Sequence, residues 1–175
     1  EHKIYITAVN QAVLDYLTAQ QVDYEYINEA DLPKYRKNFE VVVAVDEFFT
    51  YAGSDADQKD LVMKICDLAS DYVITTLRDY KNQDYKEREF SQPTIVRNGN
   101  DSTVFLENHT WSQKDRADWS SVIYAIEQAN NTLQTFGNFD RRTMYFKQLA
   151  NFTAAAGAMD FVVHKNLMYK GLVKK

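Results

Sequence analysis

Glycine and proline are scarce in this chain, at five and two among 175 residues. A turn-dense all-β sandwich, which spends such residues at every corner, is thereby disfavoured. Cysteine occurs once, at Cys66. A lone thiol forms no internal disulfide, and its place in "DLVMKICDLA" makes it a small core residue. No apolar run approaches the roughly 20 residues of a membrane span, and no secretion signal opens the chain. The expected setting is therefore cytoplasmic and away from the membrane. Histidine is also sparse. His2, His109 and His164 stand far apart with no H-x-H or H-E-x-x-H spacing, so no metal site is expected. The net charge of −5 argues against a dedicated nucleic-acid binder. The first residue is Glu1, not Met, which suits a processed protein or an excised fragment.

What the chain does have is a hydrophobic fraction of 45% with 12 Tyr and 10 Phe, enough for one domain over residues 1–175 with a real core. The first half alternates. "KIYITAV" reads as a short strand, "QAVLDYLTAQQ" as a helix and "VDYEYIN" as a strand. The continuous run Val41 to Val45 belongs in a sheet covered on both faces. "ADQKDLVMKICDLA" then reads as a helix and "DYVITTL" as a further buried strand. This order predicts an α/β wound, mostly parallel sheet with helices on both faces. The second half departs from it. "STVFLENHTW" reads as a strand, and "WSSVIYAIEQ" with "TLQTF" as an antiparallel hairpin, a helix being the alternative for the first of these, so that residues 102–137 form an insertion. "DRRTMYFKQLANFTAAAG" predicts a helix capped by Asp140 and ended by Gly157. "RDYKNQDYKEREF" is a charged excursion, suited to a lid or to a solvated loop.

A wound sheet binds its ligands beyond the carboxyl ends of its strands. Those ends carry Asn10 and Gln11, then Asn28 to Asp31, then Asp46 to Tyr51, then Arg78 to Lys81. Each group is polar and follows an apolar strand abruptly. Asp46 and Glu47, walled by Phe48, Phe49 and Tyr51, are the expected ligand-facing pair. Arg141 and Arg142 are candidates for a carboxylate or phosphate, and Tyr80 for stacking on a planar group. Trp111 and Trp119 are the largest apolar groups of the insertion, available to a substrate or to a homodimer interface.

The order of these features resembles the Rossmann-like class I methyltransferases that use S-adenosylmethionine. "VVVAVDEFFTYA" looks like their fourth-strand motif, "INEADLP" like the segment after the third strand, and "SDYVITTLRDY" like the fifth strand. The resemblance implies a three-layer architecture and S-adenosylmethionine as cofactor, with Asn10 at the ribose, Asp31 at the adenine, Asp46 near the ammonium and Phe48 beside them. Glu47 and Tyr51 would then be closest to the reacting atoms, while Tyr80, Arg141 and Arg142 would contact an unidentified methyl acceptor. The family's glycine-rich loop has no counterpart, since no G-x-G occurs in the sequence. A non-catalytic protein that keeps the fold and uses the hairpin for assembly is the alternative expectation.

Overall fold

A computed structural model describes residues 3–7, 11–45, 47–78, 80, 88–112, 118–158, 160–162 and 169–174. The candidates Asn10 and Asp46 lie outside the described residues, as does most of the charged excursion.

The first half runs β1 (Ile4–Ile6), α1 (Gln11–Ala19), β2 (Tyr24–Tyr26), a 3-10 turn (Glu29–Tyr35), β3 (Phe39–Ala44), a second 3-10 turn (Phe48–Tyr51), α2 (Asp55–Leu68) and β4 (Ala69–Arg78). Local chemistry explains the helix starts. Ser54 accepts from the Asp57 amide and opens α2, whose first turn is acidic as the helix dipole favours. Asn28 does the same for the first 3-10 turn, accepting from Ala30 N–H. The second half runs β5 (Arg88–Phe90), β6 (Thr94–Asn98), β7 (Asp101–Trp111), β8 (Asp118–Glu127), β9 (Thr132–Arg142), α3 (Phe146–Ala155), β10 (Asp160–Val162) and β11 (Tyr169–Lys174).

The parallel pairings the first half predicts are present, as β1 with β2 and β3 with β4. They belong to two separate sheets, one of two strands and one in the order β10-β11-β4-β3. β11 runs antiparallel to β4. Val62, Ile65 and Cys66 of α2 and Leu149 of α3 share one core with Ala44, Val73 and Leu77. Both helices therefore cover one face. The opposite face, with Val41, Val43, Tyr72 and Ile74, is exposed, so the expected second helical layer is not seen over it among the described residues. A third sheet, entirely antiparallel, takes the order β5-β7-β8-β9, with β6 also on β7.

One expected boundary is corrected. Residues 140–142 are not the first turn of a helix but the end of β9, and α3 begins at Phe146. Pairing decides this: Trp119 and Asp118 stand opposite Arg141 and Arg142, and long-range ladder bonds outweigh the helical spacing of Met144, Leu149 and Phe152. Gly157, with φ +83, does end the helix as expected.

β3 is an edge strand with Val43 59% exposed, an arrangement that favours strand-to-strand association. We expect Val43→Lys to reduce concentration-dependent light scattering while changing stability by less than about 0.5 kcal/mol. Unchanged scattering would show that this edge is not where copies meet.

Candidate functional site

β3 delivers the chain into the site. Three residues past its end, Glu47 takes a left-handed backbone, φ 57 and ψ 32, which a non-glycine residue holds only under constraint. The constraint is visible. The Glu47 carbonyl accepts from the Thr50 amide at 2.8 Å and from Thr50 Oγ1 at 2.7 Å. This turn sends the Glu47 side chain inward, where it is 3% exposed. Its carboxylate accepts from the Tyr80 hydroxyl and lies 3.2 Å from Arg78 Nε. Arg78 ends β4, so the two parallel strands deliver opposite charges to one point. Burial, joined by the Glu47 charge, pushes the Tyr80 phenol well above its ordinary range and keeps it protonated.

The antiparallel sheet closes over this pair. Alternation along β7 puts Glu107, His109 and Trp111 on one face. His109 Nδ1 lies 3.4 Å from Arg78 Nη1. An arginine can only donate, so Nδ1 carries the lone pair and Nε2 the proton. Nε2 stands 3.2 Å from Glu107 Oε1. That contact is off the ideal hydrogen-bond line, yet short enough to count electrostatically. Glu107 is held down to about 2, first by His109 and also by Ser121 and Arg141, against the upward push of burial.

Register builds the next row. Trp111 stands opposite Trp119, and Trp119 opposite Arg141. The indoles stack at 5.2 Å between ring centroids, and the Arg141 guanidinium lies 5.0 Å from the Trp119 ring and 4.1 Å from that of Tyr51. A bulge makes this row possible. Ile123 faces Phe136 while Val122 faces Asn138, leaving Gly137 unpaired at φ +42, with its absent Cβ only 3.2 Å from the Phe139 ring. Without that extra residue, Asp140 rather than Arg141 would stand beside Trp119. Trp111, Trp119 and Arg141, with Gly53, Ser112 and Ser120, line a cavity of about 480 Å³. Trp111 also meets Tyr80 edge to face at 5.9 Å, and Trp119 meets His109 at 4.9 Å. The indoles thus touch both the cavity and the charged network behind it.

Of the residues picked from sequence, the structure gathers Glu47, Tyr51, Tyr80, Arg141 and Arg142 around this place. Their parts differ from the expectation. Glu47 and Tyr80 are buried and spent on each other, and Arg142 is clamped by Asp55 at 2.6 Å and Asp118 at 2.8 Å. Phe48 packs against the core beside Phe49. Asp31 lies apart, exposed and paired with Lys34 at 2.5 Å. His109 and Glu107 were missed. Their signal was the alternation in "ENHTW", which says that they share a face with Trp111. Among the described residues no group of His, Cys, Asp or Glu is set to hold a metal ion, and no helix is long and apolar enough to cross a membrane.

No family model matches this sequence, and no curated protein matches it. Solved structures do. The methyltransferase CcbJ from Streptomyces caelestis superposes with a TM-score of 0.72 at 15% identity, over 99% of this chain and 74% of that one. DesVI from Streptomyces venezuelae gives 0.73 at 10% identity, over 97% and 72%. CalS10, an amino pentose methyltransferase from Micromonospora echinaspora solved with S-adenosylmethionine bound, gives 0.68 at 9% identity, over 98% and 73%. The chain carries the class I methyltransferase fold.

Proposed function

We propose that this chain serves methyl transfer from S-adenosylmethionine to a small polar acceptor held in the cavity of Trp111, Trp119 and Arg141. The observation that carries this reading is the way the antiparallel sheet lays those three side chains against Tyr51, Arg78 and Tyr80. These are residues at the carboxyl ends of β3 and β4, where a wound sheet presents ligands. The fold supports the choice of chemistry.

The chain's residues also fit the cofactor. A second cavity of about 490 Å³ opens between β1 and β3, lined by Ile4, Ile6, Ile27, Leu32 and Val42. Thr7, also in its lining, keeps a buried hydroxyl oxygen with no partner among the described residues. Mostly apolar walls with a few polar groups, Lys3 and Thr7 among them, suit an adenosyl moiety. Asp31, next to Leu32, would hold its adenine side, with Asn10 at the ribose and Asp46 at the ammonium. When bound, the cofactor supplies an electrophilic methyl group. The protein's own part is positioning, which contributes most of the acceleration in such a displacement. Trp111 and Trp119 exclude water from the acceptor. Tyr80 and Arg78 fix Glu47, which is thereby a positioning residue, as is Tyr51 beneath Arg141. Phe48 serves the core.

Calorimetric titration with S-adenosylhomocysteine tests the reading. Saturable binding is expected, weakened about tenfold in Asp31→Ala, the scale of one hydrogen bond to a charged group, and a few-fold in Thr7→Val. No saturable heat up to about 5 mM, weaker than any ordinary cofactor affinity, would overturn it. The chain would then be a binding module that keeps the fold.

A further inference from the structure

The cavity between β1 and β3 has a lining that a site on the face of a sheet does not produce. Side chains alternate along a strand, so a face presents every second residue. Here the consecutive residues Lys3 to Thr7 along β1 and Val41 to Val43 of β3 all border one space. Consecutive lining places the cavity along the edges of both strands. Those edges are open: among the described residues, β1 pairs with β2 alone and β3 with β4 alone on this side of its sheet. Ile4 is 48% exposed and Val41 45%, although apolar strands in parallel pairing belong inside a covered sheet. A two-stranded sheet is weak by itself and needs a further strand or a packed face to be stable. The slot thus separates two parallel pairs that lack a neighbour on the same side.

An open strand edge presents a row of main-chain donors and acceptors, and an extended polypeptide is what satisfies such a row. One strand placed here satisfies two rows at once. We propose that an apolar strand from polypeptide outside residues 1–175, about five or six residues long, enters this slot, pairs with β1 on one side and β3 on the other, and joins the two parallel pairs into one sheet. The mainly apolar lining sets its composition, since a strand between two others is buried on both faces. The fold points to its source. CcbJ, DesVI and CalS10 are matched over 72–74% of their own length, so folds of this kind hold polypeptide beyond what these residues supply. The strand runs beside Ile4 to Ile6 and Val41 to Val43. Thr7 and Leu32, past the carboxyl ends of β1 and β2, remain for the adenosyl moiety. The inference does not rest on the proposed function, because strand edges carry it and cofactor chemistry does not.

The probe is the peptide KKEVVVAVKK, which carries the chain's own residues 40–45 between solubilising lysines. β3 is itself an apolar strand in parallel pairing, and main-chain bonds give the affinity in strand addition. A counterpart with proline at the second and third valines cannot donate to either neighbour there. Fluorescence anisotropy of the labelled peptide is expected to show saturation by about 1 mM, with the proline peptide at least about tenfold weaker. Amide hydrogen exchange then locates the peptide: β1 and β3 are expected to exchange about tenfold more slowly in the complex, with β8 unchanged. No saturation at about 1 mM, equal binding of the two peptides, or protection that spares β1 and β3 overturns the proposal. Sedimentation of the chain alone examines the other occupant. A dimer whose β1 and β3 are already protected without peptide would give the slot to a second copy and overturn the proposal as well. Failure of S-adenosylhomocysteine to bind would leave these results where they stand, since the cofactor is not in the assays.

Discussion

Glu47→Ala is expected to lower the free energy of unfolding by about 3–5 kcal/mol, because it removes both the carboxylate that faces a partly buried arginine and the acceptor of a buried phenol's hydroxyl. Arg78 keeps a His109 ring nitrogen at 3.4 Å and the Trp119 ring at 5.5 Å, neither of which carries a compensating negative charge. Tyr80 is 2% exposed and cannot turn to water. Stabilities of domains this size are about 5–15 kcal/mol, so the loss is a large share of the total. Urea unfolding followed by circular dichroism measures it. Two further variants separate the causes. Glu47→Gly relieves the left-handed backbone and should be less destabilising than Glu47→Ala by about 0.5–1 kcal/mol, the reverse of the usual order. The double variant Glu47→Leu with Arg78→Met removes both charges, and should lose at least about 1 kcal/mol less than the two single losses added together. Strict additivity would mean that the pair is not a unit.

The run from Val41 to Val45 shows how far local sequence reaches. A continuous apolar segment that stops at two acids marks a strand end, and the strand is there. That Glu47 turns inward is another matter, because its backbone turn is imposed by Thr50 and by partners more than 30 positions away. The row Trp111, Trp119, Arg141 shows the same limit. Each strand was readable by its alternation, yet the register between strands is set by a one-residue bulge at Gly137. That shift exchanges Asp140 for Arg141, and no period within β9 announces it. Arg141 and Arg142 read as a helix start because the apolar spacing that follows is helical. Their ion pairs and ladder partners lie on β7, β8 and α2, out of reach of any local pattern. The two-sheet division of the parallel strands is likewise a matter of neighbours. Local pattern gives type and rough extent, while the site is made of pairings.

Acid should weaken the parent protein more steeply than its Glu107→Gln variant. Glu107 is held at about 2 in the folded chain against an ordinary 4.5. The groups facing it are His109 on its own strand, Ser121 on β8 and Arg141 on β9. A carboxyl lowered by folding stabilises the native state fully above its unfolded value. As pH falls, the unfolded chain takes up the proton first, so the contribution drains away between about 4.5 and 2. The lowering corresponds to about 2–3 kcal/mol once the partial exposure of the side chain is discounted. At neutral pH, Glu107→Gln should therefore be less stable than the parent by about that amount. The gap should close as pH falls through about 2, where Glu107 of the folded chain takes up its proton. Urea midpoints at about pH 7, 4 and 2.5 for both proteins give the test, since acids remote from Glu107 contribute equally to the two curves. Parallel curves would show that Glu107 is not ion-paired as the geometry has it. Converging curves would locate in Glu107 the charge that holds His109 and Arg141 behind the indole pair.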